Sequence, residues 1–223
     1  MKVIITGATG FIGGAIVREC FENPKITQIL VLSRKPLGEG MPKGDKLTTI
    51  IHEDFSTYPP ELLEKLAGAE ACLWAIGGRA YQFPNVETAR KVHVGYVVPA
   101  ATAFMTALAP KLPAGQKFRF VFCSGAFAEQ KQDKSLLFMG DTRRVKGETE
   151  KALSDLADSN PDKLEAWSVR PSGVIARDAN PLLKIGGKLF AAITADQLAR
   201  AMVKIALEGH KGGIIENSEL LKM

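Results

Sequence analysis

The sequence TGATGFIGG, residues 6–14, follows an apolar run and precedes a segment whose apolar residues recur at helical spacing. Gly7 permits a tight turn after the strand, Gly10 lets backbone N–H groups approach a pyrophosphate, and Gly13 allows close packing of the helix. A glycine pattern alone is weak evidence for a nucleotide site, and a glycine turn with a purely structural role is the alternative. In its position between a strand and a helix, the stretch predicts a dinucleotide-binding loop.

Short β-branched runs alternate with helical patterns along the whole chain, which is typical of a parallel sheet with helices on both faces. Most of the runs are continuously apolar, as expected of strands that are buried on both sides. Strands are predicted at residues 3–6, 29–32, 47–51, 71–75, 118–123, 166–169 and 213–216. Helices are predicted at residues 11–21, 59–68, 86–108, 141–156 and 195–207. The predicted fold class is α/β, a Rossmann-type doubly wound parallel sheet of about seven strands.

Bulk properties favour one globular domain. The chain has 223 residues, of which 46% are hydrophobic and 24% charged, without an internal repeat or linker. Residues 1–223 are therefore predicted to form a single nucleotide-binding domain with a short C-terminal segment at the substrate rim. Cys20, Cys72 and Cys123 lie far apart in apolar segments and match no metal spacing. We expect reduced core cysteines, no metal site and a cytoplasmic location.

The net charge of +5 is spread along the chain rather than gathered on one periodic face. A solvated surface explains it better than a nucleic-acid site, so no nucleic-acid partner is predicted. The N-terminus is apolar but interrupted by glycines, and it falls short of the roughly 20 apolar residues of a membrane span. We therefore expect neither export nor membrane insertion.

The end of the second strand reads LSRKP and offers no acid for a ribose 2′-hydroxyl. Ser33, Arg34 and Lys35 stand there instead. A guanidinium fork and an ammonium suit a 2′-phosphate, whereas a charged turn that faces water is the alternative. The predicted cofactor is NADP(H) rather than NAD(H).

Several motifs together resemble the atypical or extended short-chain dehydrogenase/reductases, in the branch of small epimerase-like and nitrogen-repressor-like NAD(P)-binding proteins. They are the glycine loop, HEDF, WAIGG, VHVGY, VFCSG, VKGE, VRPSGV and the C-terminal TADQLARAMV and IIENSEL. The resemblance covers nearly the whole chain. Together with the loop and the second strand, it implies cofactor contacts at Gly7, Thr9, Gly10, Phe11, Ile12, Gly13, Ser33, Arg34, Lys35, Asp54, Phe55, Ala75, Ile76, Gly77, Lys146, Pro171 and Val174. It also implies catalytic roles for Ser124 and Lys146, and a homodimer through the two long middle helices.

The chain departs from this pattern at the catalytic tyrosine, whose place four residues before Lys146 is taken by Thr142. An aliphatic hydroxyl is a much weaker acid than a phenol, so Thr142 is a doubtful replacement. A positioned acid contributes roughly a hundredfold to ten-thousandfold, so reduction without the tyrosine is slower rather than forbidden. Tyr81 and His93 are two further candidates, each with a structural alternative as a rim residue and a hydrogen-bonded helix residue.

The retained residues carry alternatives as well. Lys146 can hold a nucleotide ribose, or be a solvated helix lysine paired with Glu150. Ser124 can hold a substrate carbonyl, or cap a strand. Arg143 and Arg144 can face an acidic group or solvent. The substrate rim is predicted at residues 79–87, 126–140 and 177–190, which leaves a small or open pocket.

Three functions are consistent with these residues. The first is an NADP(H)-dependent oxidoreductase that acts on a small carbonyl or enone substrate. The second is an inactive NADP(H)-binding sensor or regulatory protein. The third is a non-redox isomerase or lyase that uses the same pocket.

Overall fold

A computed structural model describes residues 1–176 and 191–223. The main sheet contains seven parallel strands. They are β1 Lys2–Thr6, β2 Gln28–Ser33, β3 Leu47–Ile51, β4 Ala71–Trp74, β5 Phe118–Cys123, β6 Leu164–Arg170 and β9 Ile214–Glu216. Their order across the sheet is β3-β2-β1-β4-β5-β6-β9. A second, two-stranded parallel sheet pairs β7 (Val174–Ile175) with β8 (Ile193–Thr194). Strand order reverses direction between β1 and β4, where doubly wound sheets open a crevice for ligands.

The described helices lie in two layers. Their bounds are α1 Phe11–Glu22, α2 Pro60–Lys65, α3 Val86–Ala107, α4 Gly140–Asp158, α5 Ala195–Glu208 and α6 Asn217–Leu220. Helices α1 and α5 contribute to one hydrophobic cluster on the sheet, and α2, α3 and α4 contribute to the other. The α/β fold class is therefore confirmed, with seven strands in the main sheet and helices on both faces.

The observed elements differ from the sequence predictions mainly at their ends. Helix α2 ends at Lys65, before Gly68, whose φ of +78° sets the turn into β4. Strand β6 begins two residues earlier than predicted, at Leu164. The β7–β8 pair and α6 were missed because elements of two to four residues are too short to show a hydrophobic period.

Helix α3 is the longest described helix and contains Pro99. The Asn85 side chain caps its start by accepting a hydrogen bond from the Thr88 N–H at 2.7 Å. Within the described ranges, residues 86–111 form one segment that is long and apolar enough to cross a membrane. The buried core helix of a folded domain has the same properties. The three cysteines are free and buried, as predicted.

Candidate functional site

The loop between β1 and α1 takes its shape from close backbone approaches. Gly7 has a φ of +70°, and a Cβ added there would lie 2.5 Å from the backbone of Ala75. A Cβ at Gly13 would lie 2.0 Å from the carbonyl oxygen of Gly7, so α1 begins against the turn itself. Gly10 donates its N–H to that carbonyl at 2.9 Å. The tight turn and close packing predicted for Gly7 and Gly13 are thus the observed geometry.

A cleft of about 630 Å³ lies beside this loop. Thr9, Gly10 and Phe11 line one side of it, and Lys35 lines the other. Ser33 is buried and donates its hydroxyl to the Lys35 carbonyl at 2.7 Å, which fixes the turn after β2. Arg34 is exposed beside it. Of the predicted cofactor contacts, Thr9, Gly10, Phe11 and Lys35 therefore line one cleft, and Ser33 and Arg34 directly precede Lys35 in the chain.

Arg18 is a further cation of this cleft that the sequence analysis missed. It lies two turns into α1 and lines the cleft together with Lys35. Its guanidinium approaches the Met41 sulfur at 3.8 Å. The signal in the sequence is a cation at helical spacing from the glycine loop, but only the folded chain brings it opposite the turn after β2.

A second cavity of about 560 Å³ opens at the carboxyl ends of β1, β4, β5 and β6. Its walls include most of the remaining residues that were predicted to contact a cofactor or substrate. They are Gly10, Phe11, Ile12, Gly13, Ala75, Ile76, Gly77, Ser124, Thr142, Lys146, Pro171 and Val174. The structure therefore brings the glycine loop, the candidate catalytic serine and the lysine to one site.

Ser124 is buried at the end of β5, and its hydroxyl donates to the Glu150 carboxylate at 2.5 Å. Arg170 donates to the same carboxylate from Nε at 2.9 Å and from Nη2 at 2.5 Å. Arg170 also pairs with Glu216 at 2.8 Å, and these bonds raise the pKa of its guanidinium above the ordinary value. A buried carboxylate thus fixes the rotamer of Ser124 and leaves the serine oxygen as an acceptor.

Glu150 was considered in the sequence only as a surface partner of Lys146, and that alternative is wrong. Its side chain is fully buried, and its described ion pair is with Arg170. Lys146 instead donates its ammonium to the Ser124 carbonyl at 2.5 Å. Gly125 makes room for this contact, because a Cβ there would lie 3.1 Å from the ammonium nitrogen.

Loss of solvent lowers the pKa of Lys146 below its usual value of 10.5; Cys123 and Glu150 partly oppose this shift, and the positive charge of Arg79 adds to it. Lys146 lines the cavity, and one hydrogen bond leaves its ammonium with further donors. It is therefore a cation that can also release a proton more readily than a lysine in water.

Thr142 occupies the position of the absent tyrosine and lines the cavity. Its hydroxyl oxygen accepts a hydrogen bond from the buried Ala80 N–H at 2.8 Å. Thr142 therefore ties the turn Ala80–Gln82 to the first turn of α4. The Thr142 hydroxyl therefore holds the local structure together at the position where the resemblance implies a catalytic tyrosine.

His93 lies on α3 beneath the segment after β4, and 2% of its surface is exposed. Its Nε2 lies 3.0 Å from the Gly78 carbonyl oxygen, and its Nδ1 has no hydrogen-bond partner among the described residues. Burial, and then the charge of Lys146, lowers the pKa of His93 to about 4. The ring is neutral at neutral pH and lies behind the cavity wall formed by Gly77 and Gly78.

Three further predicted residues, Asp54, Phe55 and Tyr81, lie away from the cavity walls. Tyr81 is 67% exposed, and its hydroxyl accepts from the Arg79 guanidinium at 2.6 Å, so it is more exposed than the half-buried rim residue of the structural alternative. The Phe55 side chain is buried against Trp74 and Tyr96, so its backbone is what it can offer an adenine. Asp54 accepts from Ser56 and Thr57 within its own turn.

The predicted substrate rim is only partly visible. Residues 79, 82, 126, 127, 138 and 139 line the cavity, whereas the predicted rim at 177–190 lies outside the described residues. Within the described ranges, no group of three or more His, Cys, Asp and Glu side chains could hold a metal ion.

Comparisons with known proteins give relatives and structural neighbours, but no family model matches the chain. A leucinostatins biosynthesis cluster protein T from Purpureocillium lilacinum is 34% identical over 124 residues, which are 56% of this chain. The match spans 42% of that protein's own length. Protein fmp52, mitochondrial, from Aspergillus fumigatus is 26% identical over 99% of this chain and 93% of its own length.

Solved structures with the same architecture have about 15% sequence identity to this chain. A short-chain dehydrogenase/reductase family oxidoreductase from Burkholderia thailandensis covers 100% of this chain and 93% of its own, with a TM-score of 0.71. A dTDP-glucose 4,6-dehydratase from Streptomyces venezuelae with NAD bound covers 97% and 75%, with a TM-score of 0.68. The chain therefore shares the fold of these structures, which include a dehydratase, an epimerase and a short-chain dehydrogenase/reductase family oxidoreductase.

Proposed function

We propose that this protein is an NADP(H)-dependent oxidoreductase that reduces a small carbonyl or enone compound without a catalytic tyrosine. The observation that carries the proposal is the meeting of the glycine loop, Ser124 and Lys146 at one cavity, outside the carboxyl ends of parallel strands. Two solved structures with this fold contain NAD together with UDP-glucuronic acid in one case and UDP-glucose in the other. For this chain we propose a nicotinamide nucleotide bound at the same place in the fold, together with a smaller substrate.

The glycine loop fits the phosphates of a dinucleotide. Side chains at Gly7 and Gly13 would collide with backbone, so the chain is bare at the start of α1, where N–H groups and the helix dipole favour an anion. Gly10 lies at the boundary of the cavity and the cleft. A dinucleotide that bridges the two would place its reactive ring near Lys146 and its other end near Lys35.

The proposed preference for NADP(H) rests on the cations near the end of the dinucleotide that would lie at Lys35. Lys35 and Arg18 line the cleft, and Arg34 follows β2 directly. A guanidinium and an ammonium on the cleft wall, with a second guanidinium at the neighbouring Arg34, favour a doubly charged 2′-phosphate over a hydroxyl.

The reacting end has a cation in place of a phenol. Bound NADPH would supply a hydride to a carbonyl carbon in the cavity, and the carbonyl oxygen would then need a proton. The Lys146 ammonium is the donor suited to stabilise that oxygen and to release the proton, because its lowered pKa brings it nearer to the working range. The Ser124 oxygen, which is fixed by Glu150, can accept a hydrogen bond from the product hydroxyl.

Location and partners remain proposals as well. A cytoplasmic protein without a nucleic-acid or membrane partner, and with a homodimer through α3 and α4, is consistent with the sequence. The Aspergillus fumigatus relative is named as mitochondrial, so a mitochondrial location is the competing proposal.

Calorimetric titration tests the cofactor. NADPH is expected to bind at least about tenfold more tightly than NADH, since each charge-assisted bond to the 2′-phosphate is worth about a factor of ten or more. Arg34→Ala and Lys35→Ala should weaken NADPH binding and leave NADH binding unchanged. Lys43→Ala, an exposed residue of the same connection, is the matched control. Equal affinity for the two nucleotides would sink the NADP(H) assignment.

The pH dependence of carbonyl reduction tests the role of Lys146. Reduction requires the protonated amine, so the rate is expected to fall as pH rises through a pKa below 10.5. Lys146→Met should remove this limb and most of the rate, while Lys146→Arg should retain the charge without an accessible proton. A rate that stays flat in alkaline solution would argue against Lys146 as the acid.

A second candidate is an NADP(H)-binding regulatory protein without turnover. The observation that favours it is the engagement of both hydroxyls near Lys146, Ser124 with Glu150 and Thr142 with Ala80. Such a protein must distinguish NADPH from NADP⁺ by affinity in order to respond to redox state. A large ratio of the two dissociation constants, with NADPH consumed by no carbonyl compound, would favour this function over the enzyme.

A further inference from the structure

The outer wall of the cavity combines two exposed aromatic rings with an arginine. Phe127 and Phe138 are 63% and 54% exposed, with ring centroids 5.9 Å apart. The Arg143 guanidinium lies 5.9 Å from the first ring centroid and 5.0 Å from the second. All three residues line the cavity. Large exposed aromatic rings at a cavity mouth mark a binding surface for an apolar body.

Arg143 is fixed in this position by the backbone around it. Its Nε donates to the Phe127 carbonyl at 2.8 Å, and its own N–H donates to the Met139 carbonyl at 3.0 Å. The terminal nitrogens of the guanidinium have no acceptor among the described residues. Its planar fork therefore remains available to an anionic group.

Arg79 supplies a second cation on the cavity wall. Its guanidinium is held by the Tyr81 hydroxyl at 2.6 Å and lies 5.9 Å from the centroid of that ring. The bond from the Ala80 N–H to Thr142 fastens this turn to α4, on which Arg143 also lies. Both arginines are thus held at one cavity by different contacts.

The described cavity wall contains Arg79, Arg143 and Lys146 but no aspartate or glutamate. No described carboxylate forms an ion pair with either arginine. Glu129, whose pKa is lowered chiefly by its bond to Lys134 and only lastly by Arg143, is committed to Lys134 at 2.7 Å. A cavity whose wall carries three cations favours a ligand that brings negative charge.

Backbone strain occurs at the same place. Phe127 and Met139, both on the cavity wall, have φ values of +61° and +48°, a region that residues other than glycine rarely adopt. Arg143 bonds the carbonyl group of each. Strained residues held by surrounding contacts cluster at ligand sites.

We propose that the cavity selects a planar, apolar carbonyl compound that carries a carboxylate. The apolar body lies against Phe127 and Phe138, Arg143 and Arg79 bind the carboxylate, and the carbonyl points inward to Lys146. This substrate class rests on the proposed oxidoreductase function, but charge selection at the mouth can be measured without turnover.

The test compares 6-formyl-2-naphthoate with its uncharged methyl ester. Binding of each to the protein with saturating NADP⁺ is measured by calorimetry, and reduction of each is measured separately as NADPH oxidation. The acid is expected to bind about tenfold or more tightly than the ester, as one charge-assisted hydrogen bond allows. Arg143→Gln and Arg79→Gln should each bring this ratio toward one, and Arg143→Lys should restore part of it.

Arg144→Gln is the matched control, because Arg144 lies next to Arg143 on α4 but bonds the Lys134 carbonyl and Asp141 outside the cavity. It should keep the full preference for the acid. If Arg143→Gln does not fold, the exposed Arg79→Gln variant carries the test.

The outcomes separate the two proposals. A ratio near one in the unmodified protein, the same ratio in both cavity variants, or binding of neither compound would overturn the charge-selective mouth. Preferential binding of the acid with loss in the variants supports it even when no NADPH is consumed, and that combination would count against the oxidoreductase alone.

Discussion

The glycine loop and the segment around Ser124 both line one cavity but are built by different means. The loop depends on missing side chains, because backbone atoms occupy the space that a Cβ on Gly7 or Gly13 would need. The segment around Ser124 depends on a buried carboxylate, Glu150, held by Arg170. A wall formed by bare backbone can be predicted from a short local motif of glycines. A side-chain network joins residues far apart in the sequence, so no local motif predicts it.

Removal of the buried carboxylate should have the largest effect on stability. Glu150→Ala leaves Arg170 with an uncompensated charge and Ser124 without its acceptor, and we expect a loss of about 3–5 kcal/mol in the free energy of unfolding. Lys151→Ala removes an exposed helix pair with Asp155 and should cost at most about 0.5 kcal/mol. Urea unfolding measures both. Equal effects of the two substitutions would show that the Glu150 network does not organise its wall.

The neutral, buried His93 predicts a pH-dependent contribution to stability. Its folded pKa of about 4 lies below the ordinary 6.5, so the unfolded chain takes up the proton first as the pH falls. Stability is fully present above pH 6.5 and is lost between about 6.5 and 4, by about 3 kcal/mol in total.

His93→Asn removes the titrating group, so the difference in unfolding free energy between variant and parent should change across that pH window. The measurement is urea unfolding of both proteins at several pH values. A constant difference would mean that His93 accepts its proton as readily in the folded protein as in the unfolded chain.

Substitution of Gly147 tests whether the segment near Ser124 also depends on close contact with bare backbone. A Cβ at Gly147 would lie 2.0 Å from the Glu129 carbonyl oxygen, so Gly147→Ala should destabilise the protein by about 1–3 kcal/mol and displace residues 125–130. Gly95→Ala on α3 meets only the Lys91 side chain, at 3.6 Å, and should be neutral or stabilising by up to about 1 kcal/mol. Thermal unfolding compares the pair, and a similar shift in both would contradict the close approach.

Thr142 provides the smallest expected effect. Thr142→Val keeps the shape but leaves the buried Ala80 N–H without its acceptor, at a cost of about 1 kcal/mol. Thr142→Ser retains the hydroxyl and should recover most of that loss. If Val and Ser behave alike in urea unfolding, the tie between the turn Ala80–Gln82 and α4 contributes nothing.

The fold and the loop could be predicted because their signals are local. The glycine spacing after β1 and the apolar strand runs each lie within a few residues, and both predict the observed geometry. The Ser124–Glu150–Arg170 network could not be predicted, since nothing in the helical position of Glu150 shows that it faces the sheet rather than Lys146 or solvent. Arg18 was missed for the same reason, because its place opposite Lys35 follows from packing.

Hydride transfer itself tests the central claim most directly. NADPH deuterated at one face of C4, and then at the other, is incubated with the protein and 6-formyl-2-naphthoate, and the alcohol product is analysed by mass spectrometry. We expect one deuterium on the carbinol carbon from one labelled nucleotide and none from the other, with the hydroxyl proton from solvent by way of Lys146. Deuterium-free alcohol from both nucleotides, or no alcohol at saturating nucleotide and aldehyde, would contradict an oxidoreductase that works without the tyrosine.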